Sequence, residues 1–319
     1  MRLNKTVLFV VSSGIKIGLG HLKRCNLLAK EFRKSGLNCV VYINNKDFIK
    51  FLKKNYFNKI YYHKKLSLNL LKSIKDLKIS YAVLDTIINN NLFESFLKKR
   101  KVAYLKFSNS KICPSFAKQI IDCRPNIKYK DYQNIKKKNQ KLYLGLKYSI
   151  IDQNFLKKNK IRFNNNIFVA FGGGEDLEYI KKIKDIFKIN DDKRFWICTN
   201  NRATVVFLNK LKIQNIKVFY KQKSIYNILL KCNQAIISLG TLSFETYFAG
   251  IKANLISINK IQRNNIQLWR KKGFVYLGDI SNKQIVIKNF QKSKKKKEIF
   301  KPIRNDYLKI CNDAIRFIK

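Results

Sequence analysis

Short apolar runs of strand length alternate along most of this chain with amphipathic stretches that have the period of a helix. Such an alternation favours a parallel β-sheet whose two faces are covered by helices. Each run is too short for a buried helix and long enough for a buried strand. The predicted strands are residues 6–11, 37–43, 59–62, 81–85, 102–107, 119–122, 166–171, 194–199, 216–220, 234–238 and 254–258.

The chain is long enough to form two such sheets. It has 319 residues, 46% of them hydrophobic, whereas one domain usually takes about 100–200 residues. The polar, lysine-rich segment 126–141 shows only weak periodicity and separates an earlier series of strands from a later one. We therefore expect an α/β protein with two Rossmann-like domains, residues 1–152 and residues 153–319.

The composition is strongly basic, with 68 Lys and Arg against 19 Asp and Glu and a formal charge of +49. Such a balance usually indicates a polyanionic partner. Here lysine is spread through nearly every segment, and no zinc-ligand spacing, aromatic RNA-binding signature or arginine-rich arm accompanies it. We therefore expect no dedicated nucleic-acid partner, and a weak contact with an anionic surface stays open.

Cysteine usage and hydropathy predict a cytoplasmic protein without a transmembrane segment. The seven cysteines are an odd number without a CxxC pair, which is typical of reduced intracellular thiols. No apolar stretch approaches the ~20 residues that span a bilayer. The apolar run at 6–11 lacks the small-residue cleavage site of a signal peptide. The sequence carries no signal for an oligomeric state.

The loop after the first predicted strand carries the strongest chemical signal, because ligands of open α/β sheets bind beyond the carboxyl ends of the strands. Gly18 and Gly20 allow a tight turn and a close approach of the backbone to a ligand. His21 follows at the predicted start of a helix, whose dipole disfavours a positive imidazole by about 0.3–1 kcal/mol. We therefore expect a neutral His21 that acts as a general base.

Arg24 lies one helical turn beyond His21 on the same face, where it could hold a phosphate or a carboxylate. The alternative for His21 is a helix-start residue that only satisfies loop carbonyls. The other histidine, His63, is expected on the surface.

Two later loops also combine a strand end, glycine and a helix start. In the first, the amides of Gly172, Gly173 and Gly174 could meet an anion, although the acids at 175 and 176 could simply complement the helix dipole. In the second, the amides of Gly240 and Thr241 could cradle a diphosphate. Glu245, one turn into that helix, is placed to accept hydrogen bonds from both hydroxyls of a ribose.

Neither a metal nor a cofactor is expected. The two histidines are remote in sequence, and neither an HExxH nor a DxD pattern occurs. The GxSxG nucleophile elbow and cysteine-centred nucleophile motifs are also absent from the sequence.

The GxGHxxR pattern at 18–24, the GGG-acid loop at mid-chain and Gly-Thr-Leu-Ser-x-Glu at 240–245 resemble the UDP-2,4-diacetamido-2,4,6-trideoxy-β-L-altropyranose hydrolases of pseudaminic acid biosynthesis. The resemblance includes Tyr148 in the segment 145–149, and Gln262. It implies a GT-B-like fold with a ligand cleft between the two domains, His21 as the base, and contacts of Gly240, Thr241 and Glu245 with UDP.

The implied reaction is attack of water on the anomeric carbon of a UDP-linked sugar, with cleavage of the C–O bond, inversion, and release of UDP and free sugar. Asp85 is kept from the family pattern, but Ile87 stands where an aromatic residue is common. Asp85 could orient His21, hold a sugar hydroxyl or cap the next helix. The open alternatives are a GT-B glycosyltransferase with a UDP-sugar donor, and a non-catalytic UDP-sugar-binding or basic nucleic-acid-binding protein.

Overall fold

The computed structural model describes residues 5–14, 18–52, 54–62, 74, 77–87, 91–108, 112–156, 163–172, 175–222, 224–293 and 302–318. Three residues with roles predicted from the sequence, His63, Gly173 and Gly174, lie outside these described residues. The chain divides into two compact units: unit 1 is Met1–Ile150 with Arg304–Lys319, and unit 2 is Ile151–Ile303.

Unit 1 contains a parallel sheet of seven strands in the order β3-β2-β1-β4-β5-β6-β7. Residues 7–11 of the first strand are fully buried, which explains why its sequence is apolar without alternation. The chain order reverses between β1 and β4, so this edge of the sheet is the topological switch point where ligands of such folds bind. The strands are β1 (Thr6–Val11), β2 (Asn38–Ile43), β3 (Lys59–Tyr62), β4 (Ile79–Asp85), β5 (Ala103–Phe107), β6 (Gln119–Asp122) and β7 (Lys141–Leu144).

Helices α1 (Gly20–Lys34) and α2 (Asn91–Lys99) of unit 1 pack on this sheet. Helix α1 has an apolar stripe with helical spacing, in which Leu22, Leu28 and Phe32 are buried in the same core as residues of β1. Because α1 connects β1 to β2 and these strands pair in parallel, the helix follows the carboxyl end of β1 and runs back along the sheet.

Unit 2 contains a parallel sheet of six strands in the order β10-β9-β8-β11-β12-β13. Here the order reverses between β8 and β11, so the loops that follow these two strands are neighbours at a second switch point. The strands are β8 (Phe163–Ala170), β9 (Arg194–Thr199), β10 (Ile216–Tyr220), β11 (Cys232–Ser238), β12 (Lys252–Ser257) and β13 (Val275–Asp279). The helices are α3 (Leu177–Ile189), α4 (Arg202–Lys210), α5 (Tyr226–Leu229), α6 (Thr241–Phe248), α7 (Lys260–Arg270) and α8 (Lys283–Ser293).

The last helix, α9 (Leu308–Ile318), belongs to unit 1. The prediction that residues 304–319 form part of the second domain is therefore wrong for this segment. Ile310, Ala314 and Ile318 of α9 lie in the same apolar core as α1 and β1. The apolar stripe of α9 is readable from the sequence, but the surface that covers the stripe is not.

A chain of buried hydrogen bonds fixes α9 to the sheet of unit 1. The Tyr143 hydroxyl donates to Oδ2 of Asp313 at 2.6 Å. Nε2 of Gln119 donates to the Tyr143 hydroxyl at 2.8 Å, and the Tyr81 hydroxyl donates to Oε1 of Gln119. At the far end of the helix, Nζ of Lys5 donates to the Ile318 carbonyl at 2.5 Å. These bonds satisfy polar groups that would be costly to bury alone.

Asn254 in β12 is a buried polar residue whose amide is not satisfied. It is 0% exposed, and neither Oδ1 nor Nδ2 has a hydrogen-bond partner within the described part of the chain. Because an unsatisfied buried polar group costs about 1–3 kcal/mol, we expect Asn254→Val to raise the free energy of unfolding by about 1–2 kcal/mol. Urea denaturation followed by circular dichroism measures the change.

Asn166 in β8 provides the matched control for this prediction. It is 4% exposed, and its Nδ2 donates to the Lys231 carbonyl at 3.3 Å. Asn166→Val should therefore give no stabilisation, since it removes a side chain that makes a hydrogen bond, whereas Asn254→Val removes an amide without a partner. A decrease in stability for Asn254→Val would contradict the assignment of a free-energy cost to its buried amide.

Candidate functional site

The carboxyl ends of β1 and β4 lie side by side at the switch point of unit 1. The two strands pair in parallel with Val11 opposite Asp85, and the Ser12 amide donates to the Asp85 carbonyl at 3.0 Å. The loop that follows β1 leads into α1. Residues of this loop, of the first turn of α1 and of the end of β4 therefore share one edge of the sheet.

Gly18 shapes the loop between β1 and α1. Its φ is +82°, and its amide donates to the Gly14 carbonyl at 2.7 Å, which closes a small loop. Apart from its chain neighbours, no heavy atom of the described residues lies within 4 Å of the position that a Cβ would take. The requirement for glycine is therefore one of backbone conformation rather than of space. Gly20, in contrast, is the first residue of α1.

His21 and Arg24, on the first turn of α1, both contact the carboxylate of Asp85. Nδ1 of His21 lies 2.7 Å from Oδ1 of Asp85. Nη2 of Arg24 donates to the same Oδ1 at 2.5 Å, and Nε of Arg24 donates to Oδ2 at 2.5 Å. The Asp85 side chain is 0% exposed. Of the three roles that the sequence leaves open for Asp85, the one that these contacts support is orientation of His21.

Asp85 and Arg24 form a buried pair of opposite charges. Burial alone raises the pKa of the Asp85 carboxyl, but Arg24 and His21 outweigh this effect and hold that pKa well below its ordinary value. Burial lowers the pKa of the Arg24 guanidinium, and the neighbouring carboxylate raises it by more. Burial and the charge of Asp85 also raise the pKa of the adjacent Cys25 thiol, which stays neutral near pH 7.

The contact with Asp85 determines which nitrogen of His21 carries the proton. An ionised carboxylate only accepts, so Nδ1 must donate. Nη2 of Arg24 lies 3.1 Å from the same Nδ1, but a guanidinium cannot donate to a protonated nitrogen. The neutral ring therefore keeps its lone pair on Nε2. The His21 side chain is 17% exposed, and within the described ranges no hydrogen-bond partner of Nε2 is found. This nitrogen can accept a proton from a ligand or a water.

Tyr148 is half-buried in a 3-10 turn, Leu146–Tyr148, after β7. Its ring meets that of Tyr143 edge to face at 5.2 Å, and its carbonyl accepts from the Cys123 thiol at 3.4 Å. Burial raises the pKa of this thiol to about 12, and the charge of Arg24 acts in the opposite direction. Cys123 thus lies between Tyr148 and the charged pair.

The loop after β8 carries two acidic residues, of which Glu175 is exposed and Asp176 is buried. Gly172 has a φ of +98° and is exposed, and Glu175 is also exposed. Asp176 is buried, and its Oδ1 accepts from the hydroxyls of Thr199 at 3.0 Å and Thr204 at 2.6 Å. Asp176 therefore joins α3 to β9 and α4 within unit 2.

The loop after β11 ends at the start of α6. Gly240 directly precedes this helix, and its amide donates to Oγ of Ser243 at 3.2 Å. From the sequence this amide could have cradled a diphosphate, whereas in the structure it takes part in a cap of the helix. The next amide, that of Thr241, has no partner among the residues that the structure describes. Glu245, one turn along α6, is 8% exposed.

Gln262 takes part in the N-terminal cap of α7. The backbone N–H of Gln262 donates to Oδ1 of Asn259 at 2.9 Å, and the backbone N–H of Ile258 donates to Oε1 of Gln262 at 3.0 Å. The spacing Asn-x-x-Gln is a capping-box pattern, so the sequence itself contains a signal for this role. The side chain is partly exposed.

Phe107, at the end of β5, is a part of the site that the sequence did not indicate. Its ring lies under the guanidinium of Arg24, with 4.2 Å between the guanidinium carbon and the ring centre. No motif connects these positions, because they meet only through the order of the strands.

Within the described ranges, no three His, Cys, Asp or Glu side chains come together as a candidate metal site. No helix in the same part of the chain has the length and apolarity needed to cross a bilayer.

Comparison with known proteins gives one curated relative and many solved structures. No family model matches the chain. An uncharacterized protein of Methanocaldococcus jannaschii is 26% identical over 290 residues, which cover 83% of this chain and 58% of the relative. The chain thus spans little more than half of that relative's length.

Three of the similar solved structures each match almost the whole chain. MurG of Acinetobacter baumannii is 12% identical with a TM-score of 0.68, over 98% of this chain and 100% of that one. The UDP-GlcNAc 2-epimerase of Methanocaldococcus jannaschii, in complex with UDP-GlcNAc and UDP, is 12% identical with a TM-score of 0.64, over 99% of both chains. A glycotransferase of kitacinnamycin is 9% identical with a TM-score of 0.65, over 99% and 95%.

These likenesses, at low identity, concern the fold. Two parallel sheets of seven and six strands, each with helices, match these structures over almost their full lengths. The chain is therefore an α/β protein with the GT-B fold and its two Rossmann-like domains, as the sequence predicted.

Proposed function

We propose that this chain is an enzyme that hydrolyses a UDP-linked 2,4-diacetamido-2,4,6-trideoxyhexose at the anomeric C–O bond, with inversion. The observation that carries the proposal is the contact between Nδ1 of His21 and Asp85, since it leaves Nε2 of His21 as a base at the switch point of unit 1. The GxGHxxR resemblance supports the sugar class. The likeness in fold to an epimerase complex with UDP-GlcNAc and UDP supports the nucleotide.

In the proposed reaction, Nε2 of His21 takes a proton from water while the water oxygen attacks the anomeric carbon. The bond from that carbon to the diphosphate oxygen breaks, and its electron pair leaves with UDP. The carboxylate of Asp85 stabilises the imidazolium that forms. A diphosphate needs little protonation to leave, so one base suffices, whereas ordinary glycosidases use two carboxylates. Direct displacement by water inverts the anomeric carbon.

We assign the nucleotide to the loop that leads into α6 of unit 2. The Thr241 amide stands at the N-terminus of this helix, where the positive end of the dipole favours a diphosphate. Glu245 lies one turn further on, and a carboxylate there can accept from both hydroxyls of a ribose.

Replacement of Glu245 tests the ribose assignment. Because hydrogen bonds to a charged group contribute about 1.5–3 kcal/mol, we expect Glu245→Ala to weaken UDP binding by about 10–100-fold in isothermal titration calorimetry. Glu178→Ala is the control, since that exposed carboxylate pairs with Lys181 on the first turn of α3 and should leave the affinity unchanged. An unchanged dissociation constant for a folded Glu245→Ala protein would count against the ribose role.

A glycosyltransferase that uses a UDP-sugar donor is the second candidate. The likeness in fold to the kitacinnamycin glycotransferase favours it. The donor site and the base would be the same, and a hydroxyl of an acceptor would replace water as the nucleophile.

Incubation of the purified protein with UDP-GlcNAc and with a UDP-linked diacetamido-trideoxyhexose separates these readings. Proton and phosphorus NMR follow UDP, the free sugar and the anomer formed first. Hydrolysis predicts UDP and the inverted free sugar without an acceptor. Turnover only after an acceptor is added would indicate a transferase, and UDP binding without turnover would indicate a sugar-binding protein. Salt-dependent RNA binding without affinity for UDP would indicate a nucleic-acid-binding protein.

A further inference from the structure

We infer that Arg24 is a positioning residue, which acts on His21 through Asp85, and that it is not a ligand of the substrate's phosphates. The inference rests on the proposed role of His21 as the base. It differs from the role that the sequence suggested, in which Arg24 binds an anionic group of a ligand.

The geometry of Arg24 leaves its guanidinium committed to Asp85. Nε and Nη2 donate to the two different oxygens of the carboxylate, each at 2.5 Å. This is the side-on bidentate arrangement in which arginine binds a carboxylate most specifically. The ring of Phe107 covers the guanidinium at 4.2 Å, and the Arg24 side chain is only 19% exposed. The charged group is therefore held both along its edge and on its face.

If Arg24 moved to a phosphate, the buried carboxylate of Asp85 would lose its counter-charge, at a cost in free energy. Asp85 is 0% exposed, so its carboxylate depends on protein groups for every interaction that water would otherwise provide. The thiols of Cys25 and Cys123 face the same pair, and burial raises the pKa of both, so neither supplies a charge near pH 7. Arg24 is the strongest of the charges that lower the pKa of Asp85. The free energy of the site is therefore lower when Arg24 stays paired with Asp85 than when it binds a phosphate instead.

The effect on His21 follows from how the two oxygens are shared. Arg24 takes Oδ2 through Nε and fixes the plane of the carboxylate, while Oδ1 also meets Nδ1 of His21 at 2.7 Å. A fixed carboxylate holds both the orientation of the ring and the tautomer with its lone pair on Nε2. Without Arg24 the carboxylate can rotate, and the ring loses its single preferred arrangement.

Kinetics and UDP binding distinguish the two roles of Arg24. Arg24→Met keeps an apolar stem over Phe107 and removes the charge. For a positioning residue we expect kcat to fall by about 10²-fold with KM and the UDP dissociation constant unchanged, because only the alignment of the base is lost. Arg24→Lys, which keeps the charge without the fork, should restore part of kcat. If Arg24 were instead a ligand of the phosphates, its replacement would raise KM and the UDP dissociation constant.

Nitrogen-15 NMR of the imidazole rings tests the inference without any substrate. The chain has only two histidines, so a His63→Gln variant assigns the signals of His21 directly. We expect the neutral ring of the parent protein to show the Nδ1–H tautomer, and that of Arg24→Met a mixture of tautomers. This result does not depend on whether UDP-sugars are substrates, so failure of the proposed function and failure of the inference remain distinguishable.

The pair Arg124–Asp122 at the end of β6 offers a matched control. Nη2 of Arg124 lies 2.6 Å from Oδ2 of Asp122, and the two side chains are 20% and 0% exposed, against 19% and 0% for Arg24 and Asp85. Arg124→Met should therefore lower the free energy of unfolding about as much as Arg24→Met does. It should leave kcat and the His21 spectrum unchanged. Three results would overturn the inference: an unaltered His21 tautomer in both Arg24 variants, an equal spectral change in Arg124→Met, or a rise confined to KM and the UDP dissociation constant.

Discussion

His21→Ala should lose nearly all turnover of the UDP-sugar and keep its affinity for UDP. General base catalysis contributes about 10²–10⁴-fold to a rate, so we expect kcat to fall by a factor in that range. UDP affinity should not change, because we assign the nucleotide to unit 2. Phosphorus NMR of UDP release gives kcat, and calorimetry gives the dissociation constant.

His63→Ala is the control for this prediction. It removes the other histidine of the chain, and the sequence expectation for His63 is a surface residue without a catalytic role. Full activity in His21→Ala would remove His21 from the mechanism. Loss of activity in both variants would point to a general effect on the protein instead of the chemistry of one ring.

Asp85→Ala should cause a large decrease in the free energy of unfolding. It leaves the guanidinium of Arg24, only 19% exposed, without its counter-charge. Removal of one partner from a buried ion pair costs about 3–5 kcal/mol. We expect a decrease of that size in the free energy of unfolding, measured by urea denaturation. Asp192→Ala, whose carboxylate is exposed and pairs with Lys193, should change stability by less than about 1 kcal/mol. Similar values for the two variants would contradict a buried charge pair.

The contribution of Asp85 should also depend on pH. Its pKa in the folded protein lies well below the ordinary value, because Arg24 and His21 outweigh the effect of burial. The stability that it provides is therefore complete above its unfolded pKa of about 3.9 and is lost as the pH falls towards the folded pKa. The difference in stability between the parent and Asp85→Ala should be constant near neutral pH and shrink below about pH 4. A constant difference down to pH 3 would contradict this expectation.

Local patterns predicted the fold class because a parallel strand buried on both faces has few polar positions. The strands 6–11, 59–62, 119–122, 194–199 and 216–220 have the same bounds in the sequence prediction and in the structure. The patterns did not predict the strands β7 and β13. Strand β7 has only four residues in a lysine-rich segment, and β13 contains Gly278 at a φ of +135°. Both strands are defined by pairing with β6 and β12 rather than by their own sequences.

The sequence by itself determined the two series of strands and the glycine turns at 18–20 and 240. It also placed His21 and Arg24 one turn apart on a helix that starts at a strand end. These features follow from local rules, since Gly18 adopts a left-handed φ of +82° that favours glycine, and residues three apart share a helix face.

Only the tertiary structure decided what these residues meet. Asp85 lies 64 residues from His21 in the chain, and the strand order that pairs β1 with β4 brings them together. The same holds for Phe107 under Arg24 and for α9 in the core of unit 1. The physical reason is that hydrophobic periodicity reports which face of an element is buried, whereas the partner of that face is chosen by the packing of the whole sheet.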